Sequence, residues 1–408
     1  MAALEQNNAG GTDRSPEGQV EKPVSNLSID SVDRTSLEDS TSRDTIAADT
    51  EAMVGADLLP GVQLVDETAV TPVKEDGTTE EAPERNSEES FYDELTTRYS
   101  QFALGEDKAS QAWELYESVE IPEPSAGNEN ARDAAGTDLQ DIGADIHTHI
   151  FSPEQAKLLK DALDNDSDAV SGAWADPENK LAYIKIDDFL GSDTAEDVRT
   201  LLDGEFKDAQ GIILDLRGNP GGQVGEAIET AALFADEGLV MSERKRVPNQ
   251  SEEDFNYTER LNSYSLSESE MQLPNMSIDQ DTNTVPRDGF EDRTDGTPIV
   301  ILADEGTYSS AEVLLSALRQ NKEANAEVVG EQTGGKGVAQ IVLNTSDGGM
   351  MTVTNSQMFR PDGSWAGDLD QHRYGEVPDH VIASNITDTG PADIQYNAGL
   401  ALLREKTR

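Results

Sequence analysis

A serine and a lysine in the second half of the chain have surroundings that suit hydrolytic chemistry. The sequence EGTYSSAE, residues 305–312, puts Ser309 on a turn that leads into a predicted helix, and TGGKG, residues 333–337, follows after one helix and one strand. A serine hydroxyl is a poor nucleophile until a neighbour takes its proton, and a lysine can do so when desolvation lowers its pKa towards neutrality. The glycines beside Lys336 allow close backbone approach and leave few competing solvating groups. This pattern predicts a serine hydrolase with a lysine base.

Other residues nearby could complete such a site. Gln340 follows Lys336 by four positions, a spacing that brings two side chains to one face of a strand or close together on a helix. A tetrahedral oxyanion requires preorganised N–H donors, each worth about 3 to 4 kcal/mol. The glycine-rich turn RGNPGG at residues 217–222 and the residue after the nucleophile supply two donors of this kind.

Alternating strands and helices surround these residues. The predicted elements are a hairpin over residues 173–186, helices over residues 194–202, 224–234 and 311–320, and strands over residues 211–216 and 298–303. Repetition of strand, turn and helix is typical of α/β folds, which place functional groups at the carboxyl ends of strands. We therefore expect the Ser309 turn and the glycine-rich turn to meet at one edge of one sheet.

Five ordered sequence blocks resemble the C-terminal processing, or tail-specific, serine peptidases, the group that also contains the tricorn core. The blocks are YIKI at residues 183–186, LDLRGNPGG at 214–222, EGTYSSAE at 305–312, VGE at 329–331 and GKGVAQ at 335–340. The closing segments FRPDG and VPDHV are similar too, so the resemblance covers residues 180–405. It implies a crotonase/ClpP-like β-α superhelical peptidase core that cleaves extended or unfolded polypeptides through an acyl-enzyme, without a cofactor or metal.

The resemblance also implies roles for individual residues. Ser309 falls on the nucleophile, Lys336 on the general base and Gln340 on the residue that orients the lysine. Gly222 and the backbone of Ser310 fall on the oxyanion-hole donors. Ser310 is the competing nucleophile, although alignment of the flanking residues favours Ser309.

The chain departs from the family pattern at several points. Tyr308 stands where small residues are usual, glycine stands at 334 and 335 where a phenylalanine is more usual, and the interval from Ser309 to Lys336 is slightly long. A PDZ domain often precedes the core in this family, but residues 120–175 are too short and too rich in Gly and Asp to form one convincingly. A tail-specific preference therefore does not follow, and substrate could instead be held as an added β-strand on a sheet edge.

Composition divides the chain into three predicted regions. Residues 1–90 contain no aromatic residue and are predicted to be a disordered acidic tail. Residues 91–172 are predicted to be a helical N-terminal region with a linker from Pro122 to about Gly136, and residues 173–408 to be the catalytic domain. Within that domain the polar insertion at residues 246–296 is either a lid over the site or a solvated acidic excursion.

The charge of the chain limits its partners. Lys and Arg number 30 and Asp and Glu number 82, giving a net charge of −52, which argues against nucleic-acid and anionic-membrane partners. So large a charge favours a halophilic source, with an ordinary acidic protein as the alternative. The absence of cysteine excludes disulfides and thiolate catalysis. We expect neither a signal peptide nor a membrane span, and the compartment and oligomeric state are left open.

Two other classes of function compete with the peptidase. The first is a binding or structural protein that keeps the peptidase fold without turnover. The second is a metal hydrolase that uses His147 and His149, whose His-x-His spacing can bring two side chains to one metal on a strand. Retention of Ser309, Lys336 and Gln340 together weighs against both.

Overall fold

Strands alternate with helices along most of the computed structural model, as the sequence predicts. It describes residues 87–103, 111–112, 128–143, 147–163, 169–248, 257–266, 280–284, 291–367, 374–384 and 393–408. The predicted tail lies outside these ranges except for residues 87–90, which open the first helix instead of belonging to the tail. In the part that the structure describes, no helix is both long and apolar enough to cross a membrane.

One mixed sheet carries the alternating strands of the predicted catalytic domain. Its strands are β2 (Val170–Asp176), β3 (Leu181–Ile186), β4 (Gly211–Asp215), β8 (Ile299–Ala303), β9 (Ala326–Gly330) and β12 (His380–Val381). The order is β12-β9-β8-β4-β3-β2, with β2 antiparallel to β3 and the other neighbours parallel. β4 and β8 are buried at every position and are apolar except for Asp215 at the end of β4, as expected for strands with both faces covered. Their carboxyl ends lie side by side, which confirms that the turns following them meet.

Helices cover both faces of this sheet. The helices are α4 (Thr194–Asp203), α5 (Val224–Ala232), α6 (Ser310–Gln320) and α7 (Ile394–Lys406). The first three share one apolar core with the sheet, whereas α7 packs on the opposite face through Leu400 and Leu403. Ser309 is the N-cap residue of α6, and nearly every residue of this helix is buried.

A second sheet combines a short strand of the N-terminal region with strands from residue 239 onwards. Its strands are β1 (His149–Phe151), β5 (Leu239–Pro248), β6 (Tyr257–Ser265), β7 (Gln280–Thr284), β10 (Val338–Asn344) and β11 (Met350–Phe359). The order is β1-β11-β5-β6-β7, and β10 pairs with β11. β6 and β7 belong to the predicted insertion, and Leu261 and Ser263 are buried in β6. The described part of the insertion extends a sheet and is not a solvated acidic excursion. The alternative, a lid over the site, stays a prediction.

The described part of the N-terminal region contains three helices besides strand β1. They are α1 (Ser87–Phe102), α2 (Glu129–Gly143) and α3 (Pro153–Leu163). α1 buries Phe91, Leu95 and Tyr99, as its helical spacing predicts.

Helix α2 corrects the predicted linker, which was expected to run to about Gly136. The helix begins at Glu129 because Ala131, Ala135 and Leu139, spaced four residues apart, pack against α1, β10 and β11. Alanine contributes little to an apolar pattern in a sequence, and the glycine and aspartate residues nearby are typical of a linker, so the sequence did not indicate a helix here. The spacing of Trp113, Tyr116 and Val119 also predicts a short amphipathic helix, but these residues lie outside the described ranges.

Candidate active site

Ser309 lies on the turn between β8 and α6 and is almost fully buried. Its backbone has φ 51° and ψ −118°, a conformation that is uncommon for a residue with a side chain. Gly221 makes this turn possible, because a Cβ there would lie 2.8 Å from the Ser309 Cβ and 2.9 Å from the backbone nitrogen of Ser310. The glycine-rich turn after β4 is therefore in direct contact with the serine turn after β8.

The hydroxyl of Ser310 has a different environment. It is fully buried and donates a hydrogen bond of 2.7 Å to the carbonyl oxygen of Gly222. This bond joins the start of α6 to the glycine-rich turn and occupies the Ser310 hydroxyl. Gly222 itself is required by space, since a Cβ there would lie 2.2 Å from the carbonyl carbon of Phe189. Both predicted oxyanion-hole residues therefore border the serine turn.

Lys336 lies between β9 and β10, with only 2% of its surface exposed. Its Nζ donates a hydrogen bond of 2.9 Å to Oε1 of Gln340, and Nε2 of Gln340 donates one of 3.0 Å to Oγ1 of Thr354 on β11. Burial penalises the charged form of an amine. Thr354 holds the amide of Gln340 so that its oxygen faces the lysine.

Glu312, on the first turn of α6, connects the serine turn to the lysine loop. Its Oε2 accepts hydrogen bonds from the backbone N–H of Ser309 at 3.1 Å and of Lys336 at 2.9 Å. Its Oε1 accepts from the N–H of Gly335 and the hydroxyl of Thr333. Burial raises the pKa of Glu312 to about 7, and the hydrogen bonds that it accepts act in the opposite direction. One carboxylate oxygen thus holds the backbones of both candidate catalytic residues.

Ser309 and Lys336 line one small cavity of about 20 Å³. A volume of this size admits about one water-sized group. The rest of its wall is mainly apolar, formed by the side chains of Val240, Met241, Val313, Met358, Phe359 and Ala366, with Glu312, Ser316 and Arg360 as polar members. A water-sized space with a mainly apolar wall therefore lies beside the serine and the lysine.

Two departures from the family pattern are in contact with each other. A Cβ added at Gly334 would lie 1.6 Å from Cε2 of Tyr308, so the tyrosine ring occupies the space that a side chain at position 334 would need. On the other side of the lysine, a Cβ at Gly337 would lie 2.7 Å from the Cβ of Ala366. The glycines around Lys336 thus allow close packing, as the sequence predicts.

Three residues of the site were missed by sequence reasoning. Glu312 had a recognisable signal, since a glutamate three residues after a helix-capping serine is typical of a capping box. Asn219 shapes the glycine-rich turn, because its side chain accepts from the N–H of Gly221 and donates to the carbonyl oxygen of Ile186. Thr354 had no local signal, because it reaches Gln340 only through strand pairing.

The two histidines of the alternative metal site lie elsewhere. His149 lines a larger cavity of about 710 Å³ with Glu129, Arg132 and Asp133, separate from the one that contains Ser309. His147 is buried beside the start of β1. Within the described ranges, no group of three or more His, Cys, Asp or Glu side chains is arranged to hold a metal ion. A metal hydrolase is not favoured by this arrangement.

Comparison with known proteins identifies the family that the domain resembles. Residues 180–379 match the model described as peptidase family S41. The chain is 31% identical over 231 residues to the carboxyl-terminal-processing protease of Synechocystis sp., covering 56% of this chain and 44% of that protein. It is 30% identical over 232 residues to the carboxy-terminal processing protease CtpA of Bacillus subtilis, covering 54% and 40%. The chain thus spans about half the length of such relatives.

Solved structures show the same fold. The photosystem II D1 C-terminal processing protease aligns with a TM-score of 0.51 and 17% identity, covering 73% of this chain and 94% of that one. A lipoprotein from Streptococcus agalactiae aligns with a TM-score of 0.51 and 16% identity, covering 79% and 97%. Sequence blocks, family model and fold agree. Residues 180–379 of this chain therefore form a domain of peptidase family S41, the family of the C-terminal processing serine peptidases.

Proposed function

We propose that this protein is a serine endopeptidase that hydrolyses peptide bonds in extended or unfolded polypeptides. One observation carries the proposal: Ser309 and Lys336 line the same cavity, and a single oxygen of Glu312 binds the backbone N–H of both. Burial of a lysine costs free energy, and folding alone does not require a buried lysine beside a serine. A catalytic role accounts for this arrangement.

The proposed mechanism begins with proton transfer from the Ser309 hydroxyl to the neutral amine of Lys336. The serine oxygen attacks the carbonyl carbon of the peptide bond, and the resulting ammonium then protonates the departing amine. An acyl-enzyme remains on Ser309. Water, deprotonated by Lys336, attacks this ester; the bond between the acyl carbon and the serine oxygen breaks, and the ammonium of Lys336 returns the proton to that oxygen as the second product leaves. Gln340 orients the amine through the hydrogen bond to Nζ.

The oxyanion of each tetrahedral intermediate is proposed to be bound by the backbone N–H groups of Gly222 and Ser310. The N–H of Ser310 is the first amide of α6. An amide at this position has no acceptor within the helix and lies at the positive end of the helix dipole. The glycine-rich turn is held in place by Asn219 and by the Ser310 hydroxyl. Such fixed donors stabilise charge that develops in the transition state.

The proposed substrates follow from the cavity and the relatives. Its apolar wall suits a small apolar side chain next to the cleaved bond. The names of the similar proteins refer to processing of carboxyl termini, and we propose polypeptide substrates of the same broad class. The finer description of the core as a crotonase/ClpP-like β-α superhelix is proposed as well, supported by parallel strands alternating with α4, α5 and α6.

The choice between Ser309 and Ser310 provides the test. We expect Ser309→Ala to abolish cleavage of casein in high salt, whereas Ser310→Ala, which loses only the bond to Gly222, retains it in part. Cleavage is measured by release of labelled peptides, and circular dichroism checks that both variants fold. Equal activity of the Ser309 variant and the unmodified protein would rule out the proposed nucleophile. Inactivity of the correctly folded unmodified protein would favour the alternative of a binding protein with a peptidase fold.

A further inference from the structure

The ring of Tyr308 occupies a space that the lysine loop leaves open. A Cβ at Gly334 would lie 1.6 Å from Cε2, 1.7 Å from Cδ2 and 2.9 Å from Cζ of this ring. Gly334 is not among the glycines with positive φ, so its backbone conformation is open to other residues. Glycine at position 334 therefore leaves room for a neighbouring side chain, and the ring of Tyr308 fills that room.

The position of this contact connects it to the reacting groups. Tyr308 directly precedes Ser309, and Gly334 lies two residues before Lys336. The backbone adds a further link, because the N–H of Gly334 donates to the carbonyl oxygen of Thr307 at 2.9 Å. A displacement of either partner would therefore be transmitted over one or two residues to the nucleophile or the base.

Hydrogen bonds hold the lysine loop at several points. Glu312 binds the backbone N–H groups of Gly335 and Lys336, and the N–H of Gly337 donates to the carbonyl oxygen of Gly367. The half-buried ring of Tyr308 meets the loop at Gly334 and adds a packing contact between the serine turn and the loop. Small errors of position at a catalytic group cost large factors in rate.

We propose that Tyr308, seated in the space left by Gly334, is a positioning residue that sets the place of Lys336 relative to Ser309. The two residues act as a matched pair, in which the ring and the absence of a side chain require each other. The inference rests on the proposed function, in which Lys336 is the base.

A double-mutant cycle tests the pair by steady-state cleavage of a labelled peptide. Gly334→Ala alone is expected to lower kcat by about tenfold or more, because its methyl group displaces the ring. Tyr308→Ala is expected to lower kcat with little change in KM, since it frees the loop without removing a substrate contact. Adding Gly334→Ala to Tyr308→Ala should cost little more. Tyr308→Phe, which keeps the ring, should retain more of kcat than Tyr308→Ala.

Several results would overturn the inference. If Gly334→Ala lowers kcat by the same factor in the unmodified protein and in Tyr308→Ala, the two residues act independently. A change in KM without a change in kcat would overturn the inference as well. If Gly334→Ala does not fold, the series of Phe, Leu and Ala at position 308 replaces it, and kcat that does not fall along this series refutes the role. Cleavage by the unmodified protein that Ser309→Ala does not reduce would refute the proposed function itself, and with it the positioning role. Ser309-dependent cleavage with an additive cycle would refute the positioning role alone.

Discussion

Ser309 has a strained backbone that its neighbours maintain. A residue with a side chain and positive φ costs on the order of 1 to 3 kcal/mol and persists when its surroundings over-determine it. Here the N–H of Ser309 is held by Glu312, Gly221 packs against its Cβ, and the next residue is bound to Gly222. Ser309 in this conformation lines the same cavity as Lys336. Glu312 is thus as important to the geometry as the two residues that it joins.

At this scale we predict that Glu312→Gln lowers kcat by about tenfold or more. An amide offers one accepting oxygen, so two of the four donors, among them the N–H of Ser309 or Gly335, would face its NH2 group. Peptide cleavage at pH 8 measures the effect. Unchanged kcat would mean that the carboxylate is not needed to hold the site.

The same variant predicts a change in the pH dependence of stability. The pKa of Glu312 in the folded protein, about 7, lies above the ordinary value of 4.5. Protonation is therefore favoured by folding, so this contribution to stability is fully present below about pH 4.5 and is lost as pH rises through about 7. Over this pH range, the free energy of unfolding of Glu312→Gln, measured with urea, should fall less than that of the unmodified protein.

Glu226 provides a matched control for that measurement. Burial raises its pKa to about 7 too, but it accepts from the N–H of Ala195 at the start of α4, away from the cavity. Glu226→Gln should flatten the same part of the stability profile without the loss of kcat. A loss of kcat as large as that of Glu312→Gln would show that the rate effect is not local.

The elements meet at the carboxyl ends of β4 and β8. Pairing of Leu214 with Ile301 places these strands side by side, so the glycine-rich turn and the serine turn must leave the sheet together. The C-terminal helix α7 supports this edge, because Arg217 binds Asp215 at the end of β4 and also Asp393 at the start of α7. The catalytic turns therefore depend on a helix that is distant in sequence.

At the element scale we predict that Leu403→Ala lowers the unfolding free energy by about 2 to 5 kcal/mol. Leu403 is fully buried on α7 and fills the space beside Gly211 of β4. Leu158→Ala is the control, since Leu158 is 67% exposed on α3 and should change stability by about 0.5 kcal/mol or less. Urea unfolding measures both. Similar losses in the two variants would mean that α7 does not anchor the sheet as described.

The whole molecule carries a net charge of −52, which opposes compaction. Ion pairs occur within the described residues, for example Arg319 with Glu376 and Arg404 with Asp176, but acidic residues far outnumber basic ones. Salt shortens the Debye length from about 10 Å at 0.1 M to about 3 Å at 1 M. Screening should therefore relieve most of the repulsion between surface carboxylates.

We predict that Tm rises by several degrees between low and molar KCl. Sucrose at equal osmolality is the control, because it favours burial without screening charge. Differential scanning calorimetry measures both series. An equal rise in sucrose would show that repulsion does not limit stability and would weaken the expectation of a halophilic source.

Much of the site could be predicted because its signals are local. Ser309 at a strand-to-helix turn, Lys336 between glycines and Gln340 four residues later are patterns of neighbouring residues that can be recognised in the sequence. The roles assigned to them remain proposals, and the acidic tail lies largely outside the described residues. The alternation of strands and helices from residue 173 onwards was likewise readable, since burial imposes it on the sequence.

Other features depend on which elements meet. The two donors that share one oxygen of Glu312 come from two separate turns, one that precedes α6 and one between β9 and β10. Thr354 reaches Gln340 only across two paired strands. Contact between Tyr308 and Gly334 likewise joins two turns that are separate in sequence. The sequence by itself determined which residues could react and the local turns that carry them. Tertiary structure alone decided their partners, because chain folding, not spacing along the chain, sets distances between segments.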